Sequence, residues 1–153
     1  MAFVEIRGAD PVQVKISHIK EGLGDTSKLM GEIGNYLKAA ILMRTSSGKD
    51  VEGLPFEPYS RSYAAVRAEK GLPTGRVDLF FTGRMLGSMT YEEEKHQVRL
   101  FFMSTPRSDS KASNAAIAFY NNEVREFFSI SSTEQKAVLN LVKSYIDDLS
   151  KGS

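Results

Sequence analysis

Between Gly53 and Tyr59 the chain reads Gly-Leu-Pro-Phe-Glu-Pro-Tyr, and no helix can pass through it. Each proline lacks a backbone N–H and drives the residue before it toward extended geometry, so Pro55 and Pro58 impose an extended arm. Phe56 and Tyr59 are the side chains able to pin such an arm onto a body. The arm opens a connector, Gly53 to Met89, built largely of turn formers, aromatics and basic residues. That connector joins a helical N-terminal stretch to a sheet-forming one.

Upstream, Phe3 to Ile6 predicts a short strand, with a turn at Gly8, Asp10 and Pro11. Val12, Val14 and Ile16 alternate with polar residues, which favours a second strand or the mouth of a helix before Gly22 and Gly24 interrupt it. Asp25, Thr26 or Ser27 can cap the next helix. In that helix Leu29, Met30, Ile33, Leu37, Ala40 and Ile41 share one face, and Arg44 closes the last turn at the negative end of the dipole. Gly31 and Gly34 each cost about 1 kcal/mol of helix propensity. Their spacing makes either a smooth patch for a neighbouring helix or subunit, or two tolerated glycines facing solvent. Thr45 to Asp50 has the composition of a loop.

Downstream, Ser60 caps a short helix ended by Gly71 and Pro73. Its Arg61, Arg67 and Lys70 read most simply as a solvated face. From Tyr59 to Arg84 there are five basic residues against two acidic ones, an excess suited to phosphates or an acidic surface. Thr82 is placed to cap a single turn burying Met85, Leu86 and Met89. Met89 to Glu92 and Gln97 to Met103 predict a hairpin, with Val98, Leu100 and Phe102 on one face. Arg99, Phe101 and Met103 form the other face, whose apolar members imply that it too is covered, by this chain or a neighbour. Ser104 to Asn114 predicts an exposed, mobile loop. Ala115 to Tyr120 then returns to the core, and Val124 to Ile130 is extended. Ser132-Thr133-Glu134-Gln135 reads as a capping box opening a last helix. Its expected buried stripe is Val138, Leu139, Val142, Tyr145, Ile146 and Leu149. These elements predict an α+β fold in a single domain, residues 1–153. A small antiparallel sheet is packed by a long N-terminal helix and a C-terminal amphipathic helix, with an extended arm and a mobile loop.

Composition narrows the function. Hydrophobic residues make up 41% of the 153 residues, enough for a core. Twenty basic residues nearly cancel 19 acidic ones, so no bulk charge drives the chain onto nucleic acid or membrane. The absence of Cys excludes disulfides, thiolate metal sites and a Cys nucleophile, and fits a reducing cytosol. The N-terminus lacks a signal-peptide layout, and no apolar run reaches membrane-spanning length, so a soluble cytosolic product is expected. His18 and His96 have no second ligand at metal-binding spacing. No phosphate loop, glycine-framed nucleophile or dinucleotide fingerprint is present. Glu92-Glu93-Glu94 is a charge run at a turn, and Asp147-Asp148 reads as helix surface. The expectation is a non-enzyme without cofactor or metal.

In their order, four pieces resemble the phage virion morphogenesis family, the Mu-like and P2-like tail completion proteins related in fold to the neck proteins of long-tailed phages. The first is a helix followed by Gly53-x-Pro55-Phe56-x-Pro58, where the family often has Trp between prolines. The second is the basic helix Ser60 to Lys70. The third is Leu79 followed by Thr82-Gly83-x-Met85-Leu86-x-Ser88, similar to the family's Leu…Thr-Gly-x-Leu-x-x-Ser. The fourth is Ala116-Ile117-x-Phe119-Tyr120, then Arg125 to Ser131, then the last helix. The family's His-Gln-Phe-Gly element is missing, and its Arg-Pro-Phe is here Arg125-Glu126-Phe127. The match spans about residues 25–150.

The resemblance implies structural work at the head–tail junction, with several copies, six by the usual tail symmetry, forming a ring around the DNA channel. Its partners would be other neck and tail proteins, with DNA nearby in the channel and no membrane. The protein would be made in the host cytoplasm and end in the virion. A tail terminator at the upper end of the tail tube is the alternative within that reading. A small nucleic-acid-binding module using the basic helix 60–70 is the alternative outside it. Phe56, Tyr59, Phe101 and Met103 are the candidate subunit or partner contacts, against an intrachain core role for each. Arg61, Arg67 and Arg84 are the candidates for a basic patch facing a partner or the lumen.

Overall fold

The computed structural model describes residues 3–7, 12–17, 24–79, 83–103 and 113–151. In chain order these form β1 (Phe3–Arg7), β2 (Val12–Ser17), α1 (Ser27–Ser46), α2 (Arg61–Glu69), α3 (Arg84–Gly87), β3 (Met89–Glu93), β4 (Gln97–Phe102), α4 (Asn114–Val124) and α5 (Ser132–Lys151). This is the expected α+β architecture, a small antiparallel sheet with a long N-terminal and a long C-terminal helix. The expected turn at Gly8, Asp10 and Pro11, the break at Gly22, His18, Thr82 and the loop from Ser104 to Ala112 lie outside the described residues. Two compact units form, one from Met1–Ala40, Thr90–Phe101 and Ser129–Ser153, the other from Ile41–Met89 and Phe102–Phe128.

In the first unit the strands lie in the order β1-β2-β4-β3. Val14 pairs with Val98 and Val12 with Leu100 across the antiparallel β2–β4 ladder. The side-chain period of two then turns Val12, Val14, Ile16, Val98 and Leu100 to one buried face. Leu29, Met30, Ile33 and Leu37 supply the buried face of α1. The glycine spacing has a different purpose from either expected one. Gly34 lies under the sheet, where a Cβ would come within 2.6 Å of the Tyr91 ring and 2.9 Å of Val98. The neighbour that approaches closely is therefore β3 and β4, not a second helix or subunit. Before α1, Asp25 accepts a hydrogen bond from the Ser27 N–H. Thr26 donates through its N–H and its hydroxyl to the Lys95 carbonyl, fastening the β3–β4 turn to the helix start. His96 in that turn is half-buried, with Nδ1 3.3 Å from the Thr26 hydroxyl.

The cap of α5 is shifted by one residue from the expected box. The Glu134 N–H donates to Ser131 Oγ while the Ser131 N–H donates to Glu134 Oε1, so Ser131 is the cap. Val138 and Val142 are buried, Tyr145 and Ile146 half-buried, and Leu139 and Leu149 exposed, a narrower stripe than the periodicity implies.

In the second unit α1 runs on through Thr45, which is buried and helical where a loop was expected, and ends at Ser46. A bridge between Lys49 and Pro55 closes the base of the arm. Asp50 Oδ1 accepts from the Glu52 and Leu54 N–H groups, shaping the turn between them. Ser60 caps α2 by accepting from the Tyr63 N–H, and Gly71 at φ +72° ends it. Ser113 caps α4, so the expected loop gives way to helix by Asn114. Phe102, Phe127 and Phe128 pack together, with ring centroids 4.8 to 6.3 Å apart. Asn122 holds the turn after α4 by accepting from the Phe127 and Phe128 N–H groups.

Candidate functional site

The arm and its surroundings belong to the second unit, and two arginines clamp it. Arg67 of α2 is fully buried. Its Nε donates to the Pro73 carbonyl at 2.9 Å and its Nη2 to Asp78 Oδ1 at 3.1 Å. Its guanidinium carbon lies 4.5 Å from the centre of the Tyr59 ring and 6.0 Å from that of Tyr63. A buried guanidinium is tolerable only when its charge and donors are met, and the carboxylate, carbonyl and ring faces meet them. Arg125, just past α4, donates to the Glu57 carbonyl at 2.7 Å and to the Pro58 carbonyl at 3.0 Å. Its guanidinium carbon is 5.3 Å from the same Tyr59 ring. The Tyr59 hydroxyl in turn accepts from the Leu79 N–H, at a residue held at φ +58°. Burial raises the Tyr59 pKa, and the hydrogen bond from Leu79 and the charge of Arg67 oppose that rise only in part.

The candidate contact residues separate under this geometry. Phe56 is buried, 6% exposed, and packs within its own unit, which corrects its assignment as a subunit contact. Tyr59 is half-buried, with ring and hydroxyl both engaged inside the unit. Phe101 is half-buried with the Arg99 guanidinium 5.6 Å from its ring centre, and Arg99 also pairs with Glu92. Arg99 itself is exposed, as is Met103, so this chain by itself covers the second face of β4 only in part. The basic patch also comes apart. Arg67 is a core residue, a correction to both its solvated and its partner-facing readings, whereas Arg61 and Arg84 are exposed on α2 and α3. The structure thus stacks a predicted contact residue, Tyr59, on a predicted patch residue, Arg67.

What the sequence reading missed is α4. Asn114 and Ala118 are its buried residues, and Asn121 bonds back to the Ile117 carbonyl and toward Met85. On the other side Phe119 is 50%, Tyr120 62% and Val124 57% exposed. Of the expected return of Ala115 to Tyr120 to the core, Ala118 is buried, Ala115 to Ile117 are half-buried, and Phe119 and Tyr120 are exposed. The solvent side of α4 is apolar while its inward side carries Asn114, Asn121 and Asn122 beside Ala118, the reverse of an ordinary surface helix, and contiguous exposed apolar area marks contact sites. Leu54 at the tip of the arm and Met103 after β4 are further exposed apolar side chains of the same unit. The helical period of α4 carried the signal. Asn114, Ala118, Asn121 and Asn122 fall on one side and Phe119, Tyr120 and Val124 on the other.

Among the described residues no group of three His, Asp or Glu side chains is placed to hold a metal ion, and no helix is long and apolar enough to cross a membrane. Comparison with protein-family models, with curated proteins and with solved structures finds no match.

Proposed function

We propose that this chain is a structural protein of the phage head–tail junction that assembles as a ring around the DNA channel, so that head and tail can join. The observation that carries the reading is the apolar, solvent-facing side of α4 at Phe119, Tyr120 and Val124. Such a surface gains free energy when a neighbour covers it, about 25 cal/mol for each Å² removed from water. Head-to-tail contacts whose rotation closes turn that gain into a ring. The clamped arm supports the same reading. With its carbonyls and Tyr59 held by Arg67 and Arg125, it presents Leu54 on a preorganised support, which lowers the ordering cost of association.

The order of the four motifs from residue 25 to 150 supplies the phage context, with a role at the tail terminus as its variant. A nucleic-acid module built on α2 draws less support. The burial of Arg67 leaves Arg61 and Lys70 as that segment's exposed cations, beside the exposed Glu69. Light scattering with negative-stain microscopy tests the reading. The expected result is a discrete oligomer seen as closed rings with a central opening. A protein that stays monomeric at high concentration, yet shifts DNA with a steep salt dependence, overturns it in favour of the nucleic-acid module.

A further inference from the structure

A cleft of about 230 Å³ opens in the second unit where the start of the arm, the turn after α1 and residues 74–77 converge. Its walls are fixed by backbone hydrogen bonding. The Phe56 N–H donates to the Gly48 carbonyl at 3.0 Å, and Lys49 bridges to Pro55. Gly48 sits at φ +76°, and a Cβ there would lie 2.6 Å from Arg76 Cγ. The missing side chain is what lets the Arg76 stem lie across the turn beside the cleft.

The lining has one sign of charge. Lys49 and Arg76 are both lining residues and both exposed, and neither has a charged or hydrogen-bonding side-chain partner among the described residues. The nearest carboxylate in sequence, Asp50, is occupied by the Glu52 and Leu54 N–H groups and does not line the cleft. Pro55 and Phe56 give the remaining wall an apolar surface, and Thr74 adds a hydroxyl.

We propose that this cleft binds a carboxylate carried on a short apolar stem, as an acidic side chain of a partner protein presents it. Two cationic residues lining one cavity suit an anion, and Arg76 can meet a carboxylate with two parallel hydrogen bonds. The volume is below the range of small-molecule sites and suits a single side chain. The apolar wall suits the stem of a glutamate better than the fully hydrated surface of a phosphate. The proposal is independent of ring formation, since it concerns a different surface from the α4 face.

The test is a titration of ¹⁵N-labelled protein with N-acetylglutamate methylamide, with N-acetylglutamine methylamide and inorganic phosphate as parallel probes. Saturable shifts confined to Gly48, Lys49, Gly75 and Arg76 are expected with the glutamate probe at millimolar concentration. Arg76→Gln and Lys49→Gln are each expected to weaken binding about tenfold, as is the change to the glutamine probe. Lys49→Gln carries the test should Arg76→Gln fail to fold. No saturable shift with the glutamate probe overturns the proposal. So does equal binding of the glutamine probe, binding unchanged in the folded variants, or phosphate saturating the cleft where the glutamate probe does not.

Discussion

The guanidinium carbon of Arg67 lies 4.5 Å from the centre of the Tyr59 ring, and the same guanidinium is paired with Asp78 at 3.1 Å. One buried cation thereby joins α2, the arm and the segment that leads to Leu79. Removing it takes the guanidinium away from Asp78, which is only 14% exposed. Arg67→Ala is expected to cost about 3–5 kcal/mol, the range for breaking one side of a buried pair. Arg67→Lys keeps the charge but loses the planar fork and the ring stacking, so it recovers only part of that loss. Urea denaturation followed by circular dichroism measures both. A loss under about 1 kcal/mol for Arg67→Ala would show that the clamp is incidental.

Stability should fall at alkaline pH, and Tyr59 should account for part of the fall. Burial raises its folded-state pKa above the ordinary 10.0, as burial and then the charge of Glu134 do for Tyr36. The folded chain therefore holds these phenolic protons at pH values where the unfolded chain has released them. Their contribution is complete below pH 10 and is lost as pH rises through the folded-state values. Denaturation midpoints at pH 8, 10 and 11 are expected to drop less steeply for Tyr59→Phe than for the parent protein. Identical slopes would show that Tyr59 titrates alike in both states.

The two glycines of α1 should respond with opposite signs. Alanine gains about 1 kcal/mol of helix propensity at either position. At Gly31 the nearest atoms to a new Cβ, in the Glu93 carboxylate, are 4.0 Å away, so the gain is kept and Gly31→Ala stabilises. At Gly34 the Tyr91 ring at 2.6 Å and Val98 at 2.9 Å must shift, and overpacking costs about 1–3 kcal/mol. Gly34→Ala is therefore expected to be neutral to destabilising by up to about 2 kcal/mol. Equal stabilisation of both variants would contradict the close approach of helix and sheet.

The contrast between those glycines shows where reading from sequence ends. The periodic faces of α1 and β4, the Ser60 cap and the β3–β4 hairpin depend on neighbours a few residues apart, and all were legible. The fate of Arg67 was not, because Asp78 and Pro73 reach it only once the chain folds back after Gly71. Arg125 escaped for the same reason, since the carbonyls it holds are 67 and 68 residues away. The α5 cap slipped by one because Ser131 and Ser132 both fit the pattern, and only the reciprocal bonds with Glu134 separate them. At α4 an apolar run was read as core by composition, whereas its period divides it into a buried and an exposed side.

That division yields the last prediction. Phe119 and Tyr120 stack edge to face at 5.9 Å on the exposed side of α4, and both are at least half exposed. Replacing exposed side chains rarely moves stability by more than about 0.5 kcal/mol. The double substitution Phe119→Ser with Tyr120→Ser should therefore leave the denaturation midpoint nearly unchanged. If these rings are the centre of a subunit contact, their truncation removes anchors that cost about 2 kcal/mol or more each, a loss of at least about 30-fold in association per residue. Sedimentation velocity over a concentration series separates the two outcomes. The expected result is a parent protein that associates and a double variant of equal stability that does not. A variant that unfolds more easily by several kcal/mol would instead place the rings in the packing of the unit. One that associates as the parent does would move the contact surface away from α4.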